Sequence, residues 1–407
     1  MSVYTPYLDW LNDHYPAMVA LVEDWSRINS GSYHLEGLAR MADTLGAAFA
    51  PLGGAAQLVD LAPLASVDRQ GRLVQRPLGR ALSIVKRPQA PCRVLLAGHM
   101  DTVFPADSHF QNPRWLDDNI LNGPGVADLK GGLVVMLHAL LALERSPWAE
   151  NVGWEVLLNP DEEIGSLGSA PLLEAAARRN HIGLIYEPAL ADGTLAGARK
   201  GSGNYTLVVH GRAAHAGRDH HLGRNAIVLL AEGIVRLDAL NGQRPGVTVN
   251  PGHIEGGGPV NIVPDLAILR FNIRVASHEE QHWVERELHA LVDELSGREG
   301  FQVELHGRFG RPPKLLDERQ SALFEQVREC GAELGLNIRW AATGGCCDGN
   351  NLAAAGLPNV DTLGVRGGKI HSDEEFLLAD SLVERARLSA LLLMKIGAGE
   401  IRLPLGA

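Results

Sequence analysis

The sequence predicts an α/β protein in which a large domain with a mostly parallel sheet is interrupted by a small inserted α+β domain of ferredoxin-like order. Three observations predict it. Short apolar runs alternate with helical patterns through the first half, as in a parallel sheet covered on both faces. Near residue 200 the texture changes to β-α-β-β-α-β, and after "RPPKL" the first texture returns. At 407 residues the chain exceeds the usual size of one hydrophobic core. The boundaries expected are 1–199 and 312–407 for the large domain and 200–311 for the insertion.

In order along the chain, "MSVYTPYLDWLNDHYPAMVALVEDW" lacks a basic stretch followed by an apolar one and reads as an amphipathic helix, not a secretion signal. "CRVLLAGH" is a buried strand, and "LKGGLVVMLHALLALERS" is a helix that opens with glycines. "GWEVLLNPDEE" is a strand, "SAPLLEAAARRN" a helix and "IGLIYEPA" a strand. In the insertion, "GNYTLVVHGRAAHAG" alternates as a strand and "GRNAIVLLAEGIVRLDAL" is helical. "GVTVNPGHIEGG" and "DLAILRFNIRVAS" are strands, "HEEQHWVERELHALVDELSG" is a helix charged on one side, and "FQVELHGRFG" closes as a strand.

Composition narrows the function classes. Hydrophobic residues make up 45% and charged residues 21%, as in an ordinary globular protein. The formal charge is −11 with no long basic cluster, which argues against a nucleic-acid partner. No uninterrupted apolar stretch reaches the roughly 18 residues of a membrane span. Cys92, Cys330, Cys346 and Cys347 are too few and too irregular for a disulfide framework or a thiolate zinc site, so a reduced, cytoplasmic setting is expected.

The ionisable residues at strand ends carry the chemistry. His99 and Asp101 end "LAGHMD", Asp128 lies in "GPGVADLKGG", and Asp161, Glu162 and Glu163 follow "LLNP". Glu187 stands in "YEPA" and His371 in "GKIHSDEE". Taken singly, each has a plain structural explanation: a strand-end turn, a solvated loop at a helix N-terminus, a helix cap for Asp128, a surface histidine. Four of these five segments fall where open α/β sheets bind ligands, outside the carboxyl ends of the strands. Two imidazoles and several carboxylates without a thiolate suit a divalent ion such as zinc. They exceed what one catalytic zinc needs and match two ions sharing a bridging carboxylate.

These segments also resemble the M20 metallopeptidases. "GHMDTV", "GVADLKGG", "DEEIGS", "EP", "AAHAG", "GRNAI", "VNIVPD" and "HSDEE" occur in that family's order and spacing. The resemblance implies a catalytic domain carrying two Zn²⁺ ions, with Co²⁺ or Mn²⁺ as substitutes, and a lid domain that dimerises. It makes His99 and Glu187 ligands of one ion, Glu163 and His371 ligands of the other, and Asp128 the bridge. Glu162 would be the general base, and Asp101 would orient the imidazole of His99. A cis peptide is implied after Asp128. His215, in "GRAAHAG", would stabilise the oxyanion from the partner subunit. Asn261, Arg274 and Arg311 match positions that bind a substrate carboxylate, for which arginine's planar fork is suited; a structural ion pair is the other reading of each arginine.

The chain departs from the family at Cys346 and Cys347, where small or hydroxyl residues are commoner; small buried residues are the expected reading. The activity implied is amide hydrolysis beside a free carboxylate, as in a carboxypeptidase releasing a terminal amino acid such as glutamate. An N-acyl-amino-acid deacylase and a non-catalytic metal-binding homologue are the alternatives. The intact Glu162 opposes the last, because a dead homologue has no chemical need for a free base.

Overall fold

Strand Cys92–His99 has the alternation on which the larger layer is built. Val94 and Leu96 enter the core on one face, Leu95 and Ala97 enter that on the other, and all four are fully buried. A strand covered on both sides reads as a continuous apolar run, which is why "VLLA" carries no polar residue. The structure, a computed structural model, describes residues 2–402.

The main sheet has six strands in the order Ala55–Val59, Ala81–Lys86, Val152–Asn159, Cys92–His99, Ile182–Ile185 and Asn359–Val360. The last four are mutually parallel, and the first two form an antiparallel edge. Helices Gly131–Glu144 and Ser381–Ala398 pack on one face; Ala170–Arg179 and Asp348–Ala354 lie on the other. The opening glycines of the first helix have a steric cause. A Cβ on Gly132 would stand 2.0 Å from the Tyr186 carbonyl oxygen, so only glycine lets the helix approach the strand end this closely. The stretch Val126–Glu144 is long and apolar enough to cross a membrane, but nearly all of it is buried inside the fold as a core helix.

The second layer is a four-stranded antiparallel sheet in the order Thr248–Gly256, Leu266–Val275, Gly201–His210, Gln302–Arg311. Helices Ala226–Asp238 and His278–Ser296 cover one face, burying Leu207, Val209, Leu269 and Ile273. Asn225 and Ser277 cap them by accepting the backbone N–H three residues on. This is the β-α-β-β-α-β order expected for residues 200–311.

Two features were not legible in the sequence. Hairpin Leu64–Val67/Leu73–Arg76 reaches from the large layer to the helix-free face of the small sheet, where Val67 packs with Val208 and Ile268. Arg270 Nη2 donates to the Val67 carbonyl at 3.0 Å, and Arg69 pairs with Glu255 at 3.1 Å. A second sheet is made of pieces of two or three residues, Arg114–Trp115, Ile120–Asn122, Ala189–Leu190, Arg366–Gly368 and Phe376–Leu378. It matters because it carries the loops of Asp128 and His371. The four cysteines are free thiols.

Candidate active site

Adjacent parallel strands bring three of the predicted segments together. His99 ends its strand and is in register with Asn159, the last residue of the neighbouring strand. Asp161–Glu163 follow Asn159 directly, and Glu187 follows Ile182–Ile185 on the other side. Asp128 arrives from the second sheet, in the tight turn Val126–Lys130 that leads into the glycine-opened helix, and its bond to Leu129 is cis. Glu375 fixes that turn by accepting N–H bonds from Gly125, Ala127 and Asp128 at 2.9–3.0 Å. His371 sits at φ +65°, the left-handed region that a bulky residue adopts only when its surroundings hold it there.

The result is a chain of close contacts centred on Asp128. Its Oδ1 lies 3.1 Å from His99 Nε2 and its Oδ2 lies 3.3 Å from His371 Nε2. Beyond His99 stands Glu187, at 3.8 Å; beyond His371 stands Glu163, at 3.1 Å. His99, Asp128 and Glu163 each offer a ligand atom, all within 4.8 Å of one another. Asp101 lies behind them. Its carbonyl accepts from His99 Nδ1 at 3.0 Å, and its carboxylate is 3.4 Å from the same nitrogen. That carboxylate also accepts the Glu162 and Glu163 N–H groups at 3.1 Å and the Ser32 hydroxyl at 2.7 Å. One buried aspartate therefore fixes both the imidazole and the turn that aims the two glutamates.

The protonation of these groups is strongly displaced. Burial, reinforced by the Asp128 charge, pushes Glu163 up to about 8 and Glu187 well above the carboxylate range. Burial also opposes ionisation of Asp128, but hydrogen bonds from His371 and His99 outweigh it and hold that carboxyl well below its usual value. Hydrogen bonds to Asp128 and Glu163 raise His371 to about 11. His99 is also raised well above its ordinary value, its hydrogen bonds to Asp101 and Asp128 outweighing its burial. Displacements of this kind, in buried carboxylates packed against two imidazoles, mark a functional cluster.

Glu162 lies beside the cluster, nearly buried. Its Oε1 is 2.7 Å from Arg311 Nη2. Arg311, expected to hold a substrate carboxylate, is instead 4% exposed and occupied by Glu162, Asp348 and Ser166. Arg274 is different. With Asp128, Glu162, Glu163, Glu187 and His371 it lines a cavity of about 360 Å³ whose other walls include Leu195, Thr343, Cys346 and Ile370. Arg274 Nη1 donates to Cys346 Sγ at 2.9 Å and Nε to Asn272 Oδ1 at 2.9 Å; among the described residues it pairs with no carboxylate. Cys347 is the small buried residue expected and caps helix Asp348–Ala354 through Sγ, whereas Cys346 is half-buried and faces the cavity.

His215 and Asn261 do not line that cavity. They are exposed neighbours on the small layer, joined by an Ala216 N–H to Asn261 carbonyl bond of 2.9 Å. His215 Nδ1 accepts the N–H groups of Gly217 and Arg218 at 3.1 and 3.2 Å, so the neutral ring carries its proton on Nε2. Sequence reasoning missed Glu375 and Ser166 as parts of the site, and noted Asp348 in its Gly-rich loop without giving it a role. Glu375 lay within the quoted "HSDEE" and Asp348 within "GGCCDG", but only the fold shows which backbone each one serves.

Cluster, sheet and inserted layer together define a class. The profile of peptidase family M20/M25/M40 matches residues 95–395, and the chain belongs to that family of metallopeptidases and related hydrolases. Carboxypeptidase G2 of Pseudomonas sp. (strain RS-16) is 29% identical over 394 residues, covering 95% of this chain and 91% of that one. Succinyl-diaminopimelate desuccinylase 2 of Shewanella loihica is 27% identical, over 75% of this chain and 86% of that one. In fold, the chain is similar to an M20 family metallo-carboxypeptidase from Sulfolobus solfataricus (TM-score 0.73, 18% identity, 94% and 99% covered). It is also similar to human carnosine dipeptidase 1 (TM-score 0.72, 17% identity, 98% and 99% covered).

Proposed function

We propose that this M20 hydrolase is a dinuclear zinc carboxypeptidase of the carboxypeptidase G2 type, cleaving the amide that joins an acyl group to a C-terminal amino acid such as glutamate. The observation that carries it is Arg274, a cation in the same cavity as the cluster and, among the described residues, without a carboxylate partner. A substrate's free carboxylate would complete it with two parallel hydrogen bonds. The relative named carboxypeptidase G2, matched over nearly the whole of both chains, supports the same reading.

The donor set fits two ions. Each carboxylate oxygen of Asp128 faces one imidazole, and each imidazole has its own glutamate. His99, Glu187 and Asp128 would hold one ion; His371, Glu163 and Asp128 the other. Zinc suits these ligands, with cobalt or manganese as substitutes. When bound, such a pair polarises a carbonyl and lowers the pKa of water. Glu162, tied to no imidazole, takes a proton from the attacking water and delivers it to the leaving nitrogen. Asp101 holds His99 and the Glu162–Glu163 turn in place.

His215 would donate a hydrogen bond from Nε2–H to the developing oxyanion from a second subunit, with Asn261 beside it. A homodimer through the inserted layer is supported by exposed Ile227, Val228 and Val235 on one helix and Ile254 on the open edge strand Thr248–Gly256. In this reading residues 200–311 are the lid and dimerisation domain, and residues 1–199 with 312–407 are the catalytic one. Four free thiols suit a reducing cytoplasm. Mixing tests the shared site. His215→Ala and Glu162→Gln are each strongly impaired alone, and subunit exchange between them raises activity well above that of either. Confirmed exchange without activity would mean that His215 acts within its own chain or not at all.

The desuccinylase relatives favour a second reading, an N-acyl diamino acid deacylase. A panel of N-acyl glutamates, glutamate-terminated dipeptides, N-acetylornithine and N-succinyl-diaminopimelate, tested with the zinc-loaded protein, separates the two. The proposal expects the glutamate conjugates to be cleaved fastest; fastest turnover of the ornithine or diaminopimelate derivative would select the deacylase.

A further inference from the structure

We infer that Arg311 is a positioning residue for Glu162, holding the carboxylate that moves the proton, and not a ligand of the substrate. The inference rests on the proposed role of Glu162 as the base. Arg311 Nη2 lies 2.7 Å from Glu162 Oε1, 2.7 Å from the Glu162 carbonyl oxygen and 2.9 Å from Ser166 Oγ. One guanidinium thus grips the side chain and the backbone of the same glutamate. Its approach through Oε1 leaves the second oxygen to take the proton.

The pin is itself held. Arg311 Nη1 is 3.4 Å from Asp348 Oδ1, an oxygen that also accepts the Ser166 hydroxyl at 2.5 Å. Asn159 donates to Asp348 Oδ2 at 2.9 Å. The backbone that carries Arg311 is tied as well: Asn351 donates to the Gly310 carbonyl at 2.9 Å and Asn350 to the Pro312 carbonyl at 2.8 Å. A few residues on, Lys314 and Arg199 exchange backbone hydrogen bonds at 2.9 and 3.0 Å, and Asp361 binds both of their side chains. Arg311 therefore stands where the chain crosses from the small layer back to the large one, on a segment with little freedom. Side chains locked in this way are what keep a reacting group within the narrow geometry catalysis needs.

Burial decides against the substrate role. Arg311 is enclosed, does not line the cavity, and already faces two carboxylates. A substrate carboxylate would have to displace Glu162 from a buried ion pair and leave that charge uncompensated, which is strongly unfavourable. Arg274, in the cavity and with no carboxylate partner among the described residues, has no such obstacle.

The test uses full-length zinc-loaded protein and the N-acyl amino acid cleaved fastest in the panel above. Arg311→Gln lowers kcat by about 10²-fold, the loss expected when a reacting group is misplaced by an ångström. Its KM, its calorimetric affinity for the released amino acid and its two bound zinc ions stay as in the parent. Arg311→Lys, which keeps a buried cation, recovers part of the rate and covers the case in which the glutamine variant does not fold. In a Glu162→Gln background, Arg311→Lys causes no further loss, because the group it acts through is gone. A raised KM or weakened amino-acid binding with kcat retained would overturn the inference in favour of a substrate contact. Losses that multiply in the double variant would overturn it too. Full turnover by Glu162→Gln alone would instead overturn the parent reading, and the inference with it.

Discussion

Glu162→Gln loses roughly 10²- to 10⁴-fold in turnover, the usual contribution of a general acid–base group, and still binds two zinc ions. Glu162 and Glu163 are adjacent in sequence but their surroundings separate their tasks. Glu163 reaches His371 at 3.1 Å and joins the cluster, whereas Glu162 is held by Arg311. Glutamine keeps the size of the side chain and an oxygen for Arg311 to bond, so the fold and the ligand set are preserved and only the capacity to carry a proton is removed. Steady-state kinetics and metal analysis of the same preparation check this. Near-normal kcat, or loss of one zinc ion, would contradict the division of labour.

Asp128→Ala empties both metal positions, with affinity falling by more than the roughly 10- to 100-fold that loss of an outer-shell partner alone brings. The plainer reading of Asp128, a helix cap, is not what the structure contains. Helix Gly131–Glu144 begins at Lys130 with no side-chain cap, and the Asp128 carboxylate points to the two imidazoles. Removing it deprives His99 and His371 of the one group that faces both. Zinc titration of the metal-stripped variant, followed by calorimetry, should find no tight site. Two undisturbed sites would return Asp128 to a purely structural role.

The strands of the main sheet were legible because burial on both faces leaves an uninterrupted apolar run, and the positions of His99, Glu163 and Glu187 followed from where those runs end. Asp128 and His371 were recognisable only as members of the set. Their loops belong to a sheet whose strands are two or three residues long, shorter than any periodicity can register. Arg311 and Arg274 show the limit most clearly. Both are arginines at or near the ends of strands in the inserted layer, and nothing local distinguishes them. One is enclosed by Glu162 and Asp348, the other opens on the cavity, and that difference is made by residues far away in sequence. Glu375 is a similar case: its carboxylate serves three N–H groups of a turn about 250 residues earlier, a pairing only the fold creates.

The central claim, that two ions on this cluster drive amide hydrolysis, is tested most directly by adding zinc stepwise to the metal-stripped protein while following cleavage of an N-acyl glutamate. Hydrolysis is negligible without metal, and the rate climbs until two ions are bound per chain. Hydrolysis that proceeds in the presence of a chelator, or that saturates at one ion per chain, would contradict it.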